Sequence, residues 1–264
     1  MIVKSVSKMK RLLIAMLVMP GTLCAQSPFD GTWVINSGWM QPSEKPEVYV
    51  LSEGIFCCFL TVSKVKADGE DHRVVPSAYA DTESVRVVDA STVEVVAKKN
   101  NKIMYTETYA VSADANTLTD VSKDTTETVA VTVETVYQRV DKGPSGSHAI
   151  SGSWRAYKTK KSKNGSIVKY KCTKDGFSAE TPLGEEYYGK FDGQFYPTED
   201  DPGHTLASAK LLNPNTVELT QKREGKISGI LRLTVAPDGK SIHGMFVRKP
   251  DNAVSTFEME KEQP

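Results

Sequence analysis

Residues 92–119 read TVEVVAKKNNKIMYTETYAVSADANTLT, and residues 216–243 read TVELTQKREGKISGILRLTVAPDGKSIH. They align without a gap at an offset of 124. Thr92-Val93-Glu94 matches Thr216-Val217-Glu218, and Lys98, Lys102, Ile103, Val111 and Asp114 match Lys222, Lys226, Ile227, Val235 and Asp238. Such self-similarity marks a chain that builds one structural unit twice. Upstream, Lys66-Ala67-Asp68-Gly69 matches Lys190-Phe191-Asp192-Gly193. Further back, Phe29-Asp30-Gly31-Thr32-Trp33 matches Ile150-Ser151-Gly152-Ser153-Trp154 at an offset of 121. Each unit opens on Gly-x-Trp and closes near Val140 or Lys261. The predicted division is 26–140 for the first domain and 149–264 for the second. Residues 141–148 between them, with Gly143-Pro144-Ser145-Gly146-Ser147, read as a flexible linker.

Within each unit the period is two. Ile103, Tyr105, Tyr109 and Val111 recur at alternate positions, as do Ile227, Leu231, Leu233 and Val235. Val93, Val95 and Ala97 alternate with Thr92, Glu94 and Lys98, and Val129, Val131, Val133 and Tyr137 follow suit. Alternation of this kind marks half-buried antiparallel strands. Asp68-Gly69, Asn100-Asn101, Asp192-Gly193, Glu224-Gly225 and Asp238-Gly239 cut the runs with turn chemistry. No long amphipathic helix is evident. The reading is all-β: two tandem antiparallel up-and-down barrels of about eight strands each, with a β-sandwich as the competitor.

The chain has 264 residues, 39% hydrophobic and 25% charged, with 33 Lys+Arg against 33 Asp+Glu. That balance excludes collagen, a disordered tail and a multi-span helical membrane protein. Lys4, Lys8, Lys10 and Arg11 precede the apolar run Leu12 to Met19, followed by Pro20-Gly21 and Leu23-Cys24-Ala25. This is the order of a secretory signal peptide, read as residues 1–25 with cleavage after Ala25; Met9 is an alternative start. A lipid-modified Cys24 is the lesser reading, because Leu23 is bulky for the position before such a cysteine. The expected location is periplasmic or extracellular, with no transmembrane segment. The mature chain keeps Cys57, Cys58 and Cys172. Separate inert thiols are favoured over a bond from either of the first two to Cys172.

The opening Gly31-Thr32-Trp33, the meander of hairpins and the phrase Phe191-Asp192-Gly193-Gln194-Phe195-Tyr196-Pro197 resemble lipocalin-like (calycin) barrels. The closer likeness is to tandem domains of that kind in uncharacterised exported bacterial proteins. The resemblance implies that each first-strand Trp plugs one barrel end beneath a basic residue of the last strand. Arg139 would then serve Trp33, and Met259 or Lys261 would cover Trp154. It also implies a small apolar ligand inside one or both barrels, and no catalysis.

Glu107 falls where the alternation demands an inward residue, at the position matched by Leu231. Either it anchors a ligand inside the barrel, with Tyr105 and Tyr109 on the same face, or a distortion turns it outward. Tyr105, Glu107, Tyr109 and Leu231 are the candidate pocket residues; Trp33, Arg139 and Trp154 are the structural plug. Between Arg155 and Lys174 lie eight basic residues and no acidic one. Asn164-Gly165 splits the run into a predicted hairpin, whose alternative role is weak contact with anionic surfaces or docking in a surface interaction module. No nucleic acid is expected as a partner. There is no Gly-x-Ser-x-Gly, His-Glu-x-x-His, Cys-x-x-Cys or phosphate loop, so no catalytic, metal or cofactor site is assigned. The turn Asp200-Asp201-Pro202-Gly203-His204 explains itself by its composition.

Overall fold

The computed structural model describes residues 27–263 apart from 59–62, 76–78, 127–129, 163–165, 182–183, 202 and 250, and only the backbone of 37–40. The leader 1–25 with Cys24, as well as Lys163 and Asn164-Gly165, lies outside the described residues. In chain order the strands are β1 (Gly31–Gln41), β2 (Glu47–Ser52), β3 (Ile55–Cys58), β4 (Lys64–Lys66), β5 (Asp68–Arg73), β6 (Thr82–Val87), β7 (Thr92–Lys99), β8 (Lys102–Val111), β9 (Thr117–Asp124) and β10 (Val131–Lys142). The second half adds β11 (Gly152–Lys161), β12 (Ile167–Cys172), β13 (Gly176–Glu180), β14 (Glu186–Lys190), β15 (Tyr196–Glu199), β16 (Leu206–Asn213), β17 (Thr216–Arg223), β18 (Lys226–Val235), β19 (Ser241–Arg248) and β20 (Val254–Lys261). No α-helix occurs among the described residues.

The strands form two antiparallel sheets of ten, where the sequence predicts about eight per barrel. The excess comes from interruptions at or beside the Asp68-Gly69 and Asp192-Gly193 pairs, which divide runs into shorter strands. A bend at Ala67 separates β4 from β5, and the turn 191–195 separates β14 from β15. One sheet closes fully into a barrel. The other has β4 and β5 at its edges, and the chain joins these directly through Ala67, whose N–H donates to the Gly54 carbonyl at 2.7 Å. The repeated hairpins form as expected. Asn100 and Asn101 both take positive φ between β7 and β8, as do Glu224 and Gly225 between β17 and β18, the requirement of a type I′ turn.

The two sheets do not coincide with the two sequence repeats. β1 does not pair with β2; it lies between β12 and β20, with Trp33 opposite Val168 and Lys261. β11 lies between β10 and β2, with Trp154 opposite Arg139 and Glu47. Each barrel is thus completed by the first strand of the other repeat. This corrects the predicted domain boundaries: the first sheet is drawn from 47–142 plus 152–161, the second from 31–41 plus 167–261. A physical reason lies in Pro42-Ser43-Glu44-Lys45-Pro46. Proline lacks the N–H that a tight hairpin uses and holds its predecessor extended, so the segment after β1 spans between sheets instead of folding back.

Two further expectations change with the exchange. The stretch 141–151 is no spacer between barrels, since it joins neighbours β10 and β11 in one sheet. It is pinned there by Gly143 N–H to the Ser151 carbonyl and His148 N–H to the Leu51 carbonyl. The basic run is no hairpin, because β11 and β12 stand in different sheets.

Both indoles are fully buried. Each donates its Nε1–H to the carbonyl four residues earlier: Trp33 to Phe29 at 2.7 Å, Trp154 to Ile150 at 2.8 Å. The cation partners are the reverse of those expected. Arg139 lies over Trp154 with its guanidinium carbon 3.8 Å from the ring centre, and Lys261 lies over Trp33 at 5.2 Å. Arg139 also donates to the Ser151 and Ala149 carbonyls at 2.8 and 2.7 Å, locking the closing turn. The last strand of each repeat still covers an indole, but the indole arrives from the other repeat.

Truncating a buried Trp to Ala typically costs about 3–5 kcal/mol. Trp33→Ala is expected to lower amide hydrogen-exchange protection across 206–261 while sparing 47–142, although Trp33 belongs to the first repeat. Loss confined to 47–142 would contradict the exchange.

Candidate functional site

Register decides which side chains enter the first barrel. On β8, Tyr105, Glu107 and Tyr109 share a face, and Tyr109 stands opposite Val93 and Asp120. Tyr109 and Val93 are buried, so that face is the interior. The only register shift between β7 and β8 falls beyond Tyr105, between Ala97 and Lys98, and leaves Glu107 in phase. Glu107 therefore points inward.

Glu107 is not alone. Asp120 on β9 stands between Tyr109 and Thr135, Glu83 on β6 stands opposite Ala97, and Glu47 on β2 stands opposite Trp154. Four carboxylates and the phenols Tyr49, Tyr105, Tyr109 and Tyr137 thus share one interior. The Tyr109 hydroxyl donates to Glu107 Oε2 at 2.6 Å, and the Tyr49 hydroxyl donates to Glu47 Oε2 at 2.8 Å. The Tyr137 hydroxyl reaches the same Glu47 oxygen at 3.4 Å. The Tyr49 ring lies between the other two, tilted against Tyr109 at 5.2 Å and edge-on to Tyr137 at 6.5 Å between centroids.

Burial dominates the electrostatics. It pushes the Asp120 carboxyl up to about 8, with the charges of Glu107 and Glu47 adding to the rise. Burial also raises Glu107, against the Tyr109 hydrogen bond that lowers it, and raises Glu83. Asp120 is only 9% exposed, and its Oδ1 has no hydrogen-bond partner among the described residues.

The second barrel has the same rungs and a different lining. At the positions of Glu47, Glu83, Glu107 and Asp120 stand Val168, Ala207, Leu231 and Gly244. Tyr109 and Tyr137 are replaced by Leu233 and Met259, both fully buried. Phe246 and Phe257 fill the interior over Gly229 and Gly244. A Cβ at either glycine would meet an aromatic ring at 2.4 or 2.2 Å. Leu231 packs against this core and is far in kind from the acidic set that it was grouped with.

A cavity of about 250 Å³ lies at the seam. Glu47, Thr135, Tyr137 and Ala156 wall it from the first barrel, and Phe246 and Phe257 from the second. It lies under the crossing segment, lined by Gln41, Pro42, Ser43 and Lys45. These wall residues are inward-facing: Thr135 pairs with Asp120, Tyr137 with Leu118, and Phe257 with Gly244. The cavity thus lies where inward-facing residues of the two sheets meet. Arg248 flanks it, 3.9 Å from Glu47 and held by Asp251 at 2.9 Å.

The basic run is dispersed. Arg155 donates to the Glu44 carbonyl, and Lys169 pairs with Glu180 at 2.9 Å. Burial pushes the Lys161 ammonium down, opposed by Glu185 and Asp124. Cys57, Cys58 and Cys172 take part in no disulfide among the described residues. No helix among the described residues is long and apolar enough to cross a membrane. No protein-family model matches this chain, and no curated protein matches it.

Glu47, Glu83, Asp120 and Tyr49 were missed as interior polar groups by sequence reasoning, which did place Tyr137 on the alternating apolar face. The signal for two of them was present: Asp120 is in phase with Leu118, and Glu83 with Val85. A carboxyl with a raised folded-state pKa binds its proton more tightly in the folded state. Its stabilising effect is therefore present at low pH and lost as pH climbs from the ordinary value of 3.8 through about 8. The melting temperature is expected to fall between pH 5 and pH 9, at about 2–4 °C per kcal/mol lost. Asp120→Asn, which cannot ionise, should flatten that fall in thermal scans across the range.

Proposed function

We propose that this chain is an exported binding protein of lipocalin-like construction, without catalytic activity, whose first barrel holds a small molecule reached through the seam cavity. Export is supported by the leader pattern of residues 1–25. The lipocalin-like part is supported by the meander and by an indole at one barrel end beneath a basic side chain.

One observation carries the binding reading: two barrels of the same strand plan have opposite interiors. The second puts Ala207, Leu231 and Gly244 on the rungs of Glu83, Glu107 and Asp120, so the plan itself does not require those acids. Burying an acid costs free energy unless it is paired. The first barrel keeps a costly set that the second dispenses with, and convergent polar groups beside an apolar cavity are the usual make-up of a ligand site. An apolar molecule suits the walls of the second barrel, but Phe246 and Phe257 occupy that space. The first barrel is the better pocket, and a ligand there meets acids and phenols. Reading the chain as a surface module loses its main support, since the basic residues are divided between two sheets.

The test is native mass spectrometry of the mature chain purified from its own host. The wild type is expected to carry a non-covalent small-molecule adduct, absent from Ala156→Leu, which fills the seam cavity. A wild-type mass equal to that of the polypeptide alone would overturn the proposal.

A further inference from the structure

The first barrel's interior holds one acceptor, Asp120 Oδ1, without a donor among the described residues. Tyr109 spends its phenol hydrogen on Glu107 Oε2, and Tyr49 and Tyr137 direct theirs to Glu47 Oε2. Asp120 Oδ1 is left with no partner among the described residues, in a residue more than nine-tenths buried. The titratable groups bearing on Asp120 are Glu107 and Tyr109 on β8, Glu47 and Tyr49 on β2, and Tyr137 on β10, every one an acid. The positive groups on this side are each engaged elsewhere: Lys161 on β11, opposite Val133, interacts with Glu185 and Asp124, and Arg248 and Lys45 on the seam wall are tied to Asp251, with Arg248 also facing Glu47. Glu83 and Cys58 complete the acid-bearing wall beside Tyr105.

Such an interior discriminates by charge. An anion is repelled. A neutral apolar molecule leaves Asp120 Oδ1 unpaired, and a buried unmade hydrogen bond is costly. A cation with N–H donors supplies both the charge and the missing hydrogen, and tyrosine faces attract it further. No group of three metal-binding side chains is arranged for an ion among the described residues, which favours an organic cation. The cavity adds the rest of the shape. Thr135, next to Asp120 across β9 and β10, lines it together with Glu47, and Phe246 and Phe257 face them from the other barrel. About 250 Å³ is small, just under the range of about 300–1,000 Å³ usual for ligand sites.

We infer that the first barrel binds a small organic ammonium, with Asp120 and Glu107 as its charge partners and its apolar end in the seam between the barrels. This inference rests on the binding reading above and specifies its ligand. It carries a proton consequence. Acids kept protonated by burial must give up protons as the ammonium arrives, so affinity rises with pH toward 8 and binding releases protons. The groups that titrate with Asp120 are the acids just named, and they shift in the same sense.

The experiment is isothermal titration calorimetry on the full mature chain with three probes of similar shape: 2-phenylethylammonium, 2-phenylethanol and 3-phenylpropanoate. The ammonium is expected to bind at least tenfold more tightly than either counterpart. Its heat should differ between phosphate and Tris buffers at pH 7, as proton release requires. Asp120→Asn should weaken it at least tenfold while keeping the wild-type melting temperature or raising it. The outward-facing Glu134→Gln should change nothing. Equal affinity for the ammonium and the alcohol would overturn the inference, as would unchanged affinity in Asp120→Asn or no binding of the ammonium. If any of these accompanied a retained adduct in native mass spectrometry, the binding reading would stand and only the cationic ligand would fall.

Discussion

The architecture hangs on an indole delivered across a seam. Trp33 and Trp154 each leave the repeat that encodes them and complete the barrel of the other, where they are wholly buried under Lys261 and Arg139. Neither barrel can keep its end shut without a strand from the other half. Such reciprocity places the plug of each core in the other half of the sequence. Removing one β1 contact opens a core that is remote in sequence and leaves the other core its own indole.

Those interiors use the same rungs for opposite chemistry. In the second, Leu231, Leu233, Met259, Phe246 and Phe257 gain their stability from apolar area removed from water, roughly 25 cal/mol per Å². In the first, Glu107 and Asp120 occupy equivalent rungs and must be held neutral or paired, because ionised carboxylates are poorly solvated there. The duplication supplies an internal control: the apolar version is a workable solution of the same plan, so the acidic version reflects something other than folding. The seam cavity, bordered by Glu47 and Tyr137 on one side and Phe246 and Phe257 on the other, is where the two chemistries meet.

Much of this was legible in advance. The alternation through Val93, Val95 and Ala97 and through Leu231, Leu233 and Val235 marks strands because period two follows directly from the pleat. Asn100-Asn101 and Glu224-Gly225 mark their turns because few other residues accept positive φ twice. Glu107 with Tyr105 and Tyr109 was visible as an inward polar set for the same reason. Asp120 and Glu83 were not picked out, although they keep phase with Leu118 and Val85, because short mixed runs leave the buried face ambiguous. Glu47 keeps phase with Tyr49 and Leu51, but Val48 and Val50 make both faces of β2 read as apolar, and its partner across the rung, Trp154, arrives from the other repeat.

By itself, the sequence determined the all-β class, the duplication, the hairpin turns and the identity of the two indole plugs, since each of these is written in local pattern. Only the tertiary structure decided which barrel each indole closes, that the basic run is divided between two sheets, and that four acids from four strands converge on one interior. The reason is that strand pairing is non-local. Repeats of one strand plan present similar backbone edges, so local pattern does not tell β1 whether to pair with β12 and β20 or with β2 and β10. The choice rests on how the segment Pro42 to Pro46 carries the chain across.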